Sequence, residues 1–150
     1  DHRLDPQSNQ GSAVMAQDSA EQLMKAHIAA LRGDATLQGF VGQKVYDYIP
    51  RRTDYPYIIY HITDSDEWDA TGCNGEEHAV YVHVWDDKEG SKTARQIMQR
   101  VYELLHDTTS YSLIDHSLVN CRRVSRTMVR EGQLYHGMVL FRAVTQEAQL

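Results

Sequence analysis

Apolar positions recur along this chain with two different periods, and each change of period marks a new element. Ala20, Leu23, Met24, Ile28 and Leu31 fall three or four residues apart, which places them on one face of a helix. Asp18 and Glu21 form a capping-box pair ahead of that run, where each side chain can satisfy a free backbone N–H of the first turn. Gly33 stands behind it as a stop. A shorter helical turn is predicted over residues 35–41, closing at Gly42. A second long amphipathic run sets Ala94, Ile97, Met98, Val101, Leu104 and Leu105 on one face, with Ser91 as its N-cap.

Elsewhere the period is two. A short aromatic strand is expected over 45–49, limited by Pro50, and a second over 57–63 (YIIYHIT), which Pro56 starts. Residues 78–85 (HAVYVHVW) alternate, with Val80, Val82 and Val84 on one face and Tyr81, His83 and Trp85 on the other. Two more extended runs, 118–130 and 134–145, meet at a turn at Glu131-Gly132. The order α–β–β–β–α–β–β predicts an α+β fold: an antiparallel sheet of four to five strands with two main helices packed on one face. Residues 64–77 (DSDEWDATGCNGEE) are too polar for core and are expected to form a long loop. Residues 1–17 carry no apolar periodicity and read as a flexible leader or cloning remnant, with Met15 a candidate natural start. Residues 18–150 are then a single domain.

Composition narrows the class. A length of 150 residues with 41% apolar and 24% charged side chains fits one folded domain and argues against a disordered chain. No run approaches the roughly 18–20 apolar residues of a membrane span, and no secretory signal is visible, so a soluble chain is expected. Two cysteines, Cys73 and Cys121, are too few for a disulfide scaffold and suit a reducing compartment. The net charge of −6 has the wrong sign for a general nucleic-acid binder. That charge is uneven: the first ninety residues carry 7 basic and 16 acidic side chains, the remainder 8 and 5. A chain with one acidic and one basic half can attract a copy of itself head-to-tail.

Candidate chemistry is thin. Eight histidines invite a metal reading, but neither a helical His-x-x-x-His nor a Cys-x-x-Cys occurs. His61 and His83 could be cross-strand neighbours, yet two imidazoles without a third ligand make a weak site. Cys73 lies among carboxylates, which would raise its pKa and dull it as a nucleophile. Cys121 alternates within a strand as a small core residue would. No nucleophile elbow, phosphate-binding loop or dinucleotide fingerprint is present. The carboxylates at 64–69 lack the spacing of a calcium loop. No catalytic residue, metal or cofactor is therefore expected.

Two features remain. Arg122, Arg126 and Arg130 are an even number of residues apart, so an unbroken strand would project all three from one face. Guanidiniums so stacked repel one another unless anions lie opposite, which asks for a partner. The second is the acidic segment with Asp64, Asp66, Glu67 and Asp69 around Trp68, an indole placed as an interface anchor would be. Either feature also fits a merely solvated face.

The phrases VGQKVYDYIPRRTDYPYIIYHI (41–62), HAVYVHVW (78–85), ARQIMQRVYELLH (94–106) and YHGMVLFRAVT (135–145), in that order, resemble the tail-completion proteins of long-tailed bacteriophages, prophages and gene transfer agents. The likeness spans about residues 19–146. It implies a non-enzymatic virion protein, made in the bacterial cytoplasm, that forms a head-to-tail ring, a hexamer in such proteins, at the head-proximal end of the tail tube. The ring would stop tube polymerisation and join the tail to the head connector or stopper protein, with DNA passing through the bore unbound and no membrane involved. On this reading Arg122, Arg126 and Arg130, and the segment Asp64, Asp66, Glu67, Trp68 and Asp69, meet neighbouring copies or the tube. The alternatives are a head-side stopper or connector component, a small α+β binding module, or a hydrolase using His61, His83 and nearby carboxylates.

Overall fold

The computed structural model describes residues 18–68 and 74–148. The expected leader at 1–17 lies outside these, as do Asp69 and Cys73. The described chain runs α1 (Ser19–Gly33), α2 (Ala35–Val41), β1 (Val45–Tyr46), β2 (Tyr57–Glu67), β3 (Gly75–Asp86), α3 (Lys92–Leu105), β4 (His116–Glu131) and β5 (Leu134–Glu147).

The helices begin and end where short polar residues satisfy free backbone groups. Asp18 accepts from Ala20 N at 3.0 Å. Asp34 follows α1 and caps α2, accepting from Leu37 N at 3.0 Å. The same carboxylate takes two bonds from the Arg100 guanidinium of α3, at 3.0 and 2.7 Å, so one side chain ties three helices together. Ser91 stands at the N-cap of α3 but makes no capping bond; its hydroxyl accepts from Arg95 Nε at 3.1 Å instead.

The strands form one sheet in the order β1-β2-β3-β5-β4. β2, β3, β5 and β4 pair antiparallel. β1 pairs parallel to β2 through Val45 and Tyr46 alone. The sheet is thus mixed rather than wholly antiparallel. The connection at 47–56 is long enough to carry the chain back to the start of β2, and Ile49, expected in a strand, is 84% exposed within it.

Alternation then decides which face is buried. Ile58 and Tyr60 of β2, Val80, Val82 and Val84 of β3, Val139, Phe141 and Ala143 of β5 and Cys121 of β4 point to the helices. They meet Leu23 and Leu31 of α1 and Ile97, Met98, Val101 and Leu105 of α3, each side chain contributing about 2 kcal/mol by leaving water. His27 of α1 is buried with its Nδ1 2.7 Å from the Tyr60 hydroxyl. Met98 lies directly over Gly137, where a Cβ would collide with its sulfur. Among the described residues no helix is long and apolar enough to cross a membrane.

Of the segment expected as a loop at 64–77, the described residues are largely strand. β2 continues to Glu67 and β3 begins at Gly75, the pair being closed by Trp68 N to Gly75 O at 2.9 Å. Its carboxylates hid this extension because the sequence offers no apolar alternation there; a strand that needs no buried face shows no period.

Candidate functional site

In the acidic hairpin, a bulge between Ile62 and Asp64 resets the pleat. Asp64 and Asp66 therefore stand on the side away from the helices, opposite Ala79 and Glu77, while Ser65 faces the helix side and bonds His78 Nδ1 at 2.6 Å. Asp64, Asp66 and Glu67 are exposed, and none pairs with a cation among the described residues. Trp68 is not the centre of a loop. It sits at the end of β2, half-buried, with its ring over Gly75, so packing within the hairpin already occupies part of the indole.

The arginines do not share a face as expected. β4 carries bulges between Leu118 and Asn120 and between Arg123 and Ser125, and the second shifts the alternation. Arg122 pairs with Arg142 on the side away from the helices, whereas Arg126 and Arg130 pair with Val139 and Tyr135 on the helix side. Arg123 joins those two. Each has a local contact: Arg122 meets Asp107 at 3.0 Å, Arg123 lies 4.6 Å over the Tyr102 ring, Arg126 donates to Gln99 at 3.3 Å and Arg130 to the Gly132 carbonyl at 3.2 Å. Of the four, only Arg122 meets a carboxylate among the described residues. What the bulges preserve is the location, because all four remain on one outer strand of the sheet.

The face of the sheet away from the helices has no covering layer among the described residues. Across it run Tyr57, Ile59 and His61 of β2, Tyr81, His83 and Trp85 of β3, and His136, Met138 and Leu140 of β5. Three imidazoles link in a row: His61 Nε2 to His83 Nε2 at 3.1 Å, His83 Nδ1 to His136 Nε2 at 2.7 Å, and His136 Nδ1 to Glu131 at 3.0 Å. With His136 Nδ1–H donating to Glu131, a neutral His136 accepts from His83 at Nε2, and His83 in turn accepts from His61. Burial and the two neighbouring imidazoles push His83 down to about 4, and burial lowers His61. Trp85 stacks on His136 at 4.0 Å. His83 offers different nitrogens to its two neighbours, so the rings do not converge on a point, and no cluster among the described residues is arranged to hold a metal ion.

A model of the tail completion protein gp17 family matches residues 25–146. The chain belongs to the tail completion protein gp17 family. No curated protein matches it. Among solved structures, it is similar to a chain of the virion of a native gene transfer agent particle, with a TM-score of 0.78 at 24% identity, covering 87% of this chain and 99% of that one. As a member of this family it is a structural protein of the phage-type tail and not an enzyme.

The geometry suits that class. Burial pushes the Cys121 thiol up to about 12, which leaves it inert in the core. The hydrolase alternative needed His61 and His83 beside carboxylates in a cleft. Instead they lie on an uncovered sheet face, and the open depression of about 400 Å³ lined by Glu67, Glu76, His116 and Glu147 contains neither. Sequence reasoning missed His136 as the third member of the row. Its signal was available only jointly, from the even spacing of His136 and Met138 once β5 is paired with β3.

Proposed function

We propose that this tail completion protein closes into a ring at the head-proximal end of the tail tube, ends tube growth there and joins the tail to the head connector. The observation that supports this reading is the position of its charges. The acidic first part of the chain supplies β1, β2 and β3, and the basic last part supplies β5 and β4, so the order β1-β2-β3-β5-β4 carries the charge asymmetry of the sequence to opposite edges of one sheet. Unlike patches on opposite sides make a heterologous contact, which closes into a ring when the rotation between copies divides a full turn. Opposite charges favour that contact and disfavour like edges meeting.

In such a ring Arg122, Arg126 and Arg130 on the β4 edge would meet Asp64, Asp66 and Glu67 of the next copy, with Trp68 at the end of β2 available to the tube. Burying about 800 Å² on each of two edges is a standard interface, and it leaves the ends of the sheet free for tube and connector. Six copies, assembled from protein made in the host cytoplasm, would surround a bore through which DNA passes without specific contact, as a net negative charge favours. Particles produced without this protein should carry overlong tails unattached to heads. Tails of normal length joined to heads in its absence would overturn the reading.

A further inference from the structure

β4 and β2, the outermost long strands of the sheet, are each covered along part of their length and open along the rest. On β4 the first half is covered by the turn after α3: Asp107 N donates to Cys121 O at 2.7 Å, and Arg123 N donates to His106 Nδ1 at 3.0 Å. From Ser125 to Glu131 the strand is free of bulges and no strand pairs with its outer side among the described residues. On β2, β1 covers only Ile58 and Ile59; from Tyr60 to Glu67 the outer side is likewise unpaired among the described residues. A long open edge is an invitation to pair, and proteins ordinarily blunt it. Here the chain blunts part of each edge, and the open part of β4 carries an exposed apolar side chain, Val129 at 50%, beside Arg126 and Arg130.

We propose that the open half of β4, residues 125–131, adds as a strand to the open half of β2, residues 60–67, of a second copy of this chain. This inference rests on the ring reading above and specifies its contact. Three observations carry it beyond charge alone. First, direction agrees. β2, β3, β5 and β4 alternate antiparallel, so four strands per copy bring β4 antiparallel to the next β2 and the ladder continues unbroken.

Second, the offset agrees. Following the ladder, Met128 lies level with Gly137, Val84 and Ile58, whereas the open half of β2 centres on Asp64, level with Ala79. Paired residues share a face, so the shift must be even. Setting Met128 level with Ile62, which lies beside Val80 on the helix side, moves each copy by about four residues, or about 14 Å, along the strands for every four strand spacings of about 19 Å. That ratio corresponds to a strand tilt of roughly 35°, at the lower end of the range of about 35–45° in which closed sheets occur. Copies staggered this way close into a tilted barrel rather than extending as a flat ribbon. Third, the charges meet: the shift sets Arg126 beside the stretch from Asp64 to Glu67. Six such copies would form a continuous sheet about 45 Å across at the backbone, wide enough for a nucleic-acid duplex.

Cross-linking tests this contact. In a Cys73→Ser background, Thr63→Cys and Thr127→Cys each place a thiol on an exposed position of one open edge. The two variants are mixed on cognate tail tubes and treated with a short bis-maleimide. A cross-linked dimer in the mixture, absent from either variant alone, is the expected result, and the double variant should yield a ladder of linked copies. Dimers from Thr127→Cys alone would mean that β4 meets β4, and linkage to the tube protein would mean that the edge serves the tube; either overturns the proposal. Rings visible by electron microscopy without cross-links would overturn the edge contact and leave the ring reading intact. Absence of rings on tubes with the unmodified protein would remove both.

Discussion

Among the described histidines, His27 and His83 are held furthest below the ordinary imidazole value. Burial pushes His27 down to about 3, and burial with the neighbouring imidazoles pushes His83 down to about 4. Folding therefore favours their neutral forms. That stability is fully present above the ordinary imidazole pKa of about 6.5 and is lost as pH falls toward the folded values, at up to about 1.4 kcal/mol per pH unit for His27 and less for the half-exposed His83. The melting temperature should fall between pH 6.5 and 4, and His83→Gln should flatten part of that slope; an unchanged slope would show that His83 is not held neutral. Residue identity alone did not expose the row of imidazoles, because His61, His83 and His136 become neighbours only through the register of three strands. The arginines show the converse. Their even spacing was plain in the sequence, and the bulge between Arg123 and Ser125, which separates Arg122 from Arg126, leaves no mark in a pattern of residue types.

At the scale of elements, the helices were legible because their signals are local. Asp18 and Gly42 mark ends that elementary backbone satisfaction requires, Gly33 falls one residue short of the Asp34 cap, and the apolar spacing of α1 and α3 does the rest. β3 was legible for the same reason, as an alternation over a half-buried face. The parallel pairing of β1 was not, since it involves two residues and depends on where the following connection returns. Neither was the extension of β2 through its carboxylates. The contact between α3 and β5 is a close fit that the sequence hints at only by a glycine within a strand. Gly137→Ala should cost about 1–3 kcal/mol by overpacking against Met98, and combining it with Met98→Ala should recover part of that loss relative to Met98→Ala alone. Equal costs in the two backgrounds, read from thermal or urea unfolding, would show that the two side chains do not compete for the same space.

For the whole molecule, the decisive property is that one sheet has two unlike edges. The uneven charge of the chain was visible from counting, and the fold converts it to geometry by placing β2 near one side and β4 at the other. A monomer needs neither the open half-edges nor their opposite charges, whereas a closed assembly uses both. Among the described residues the histidine row and the arginines lie on surfaces, and two buried groups, Cys121 and His27, are held inert by their surroundings. The most direct measurement is electron microscopy of the purified protein mixed with its cognate tail tubes. A closed ring of copies seated on one end of each tube is the expected image; protein scattered along the tube walls, or open chains of copies that fail to close, would contradict it.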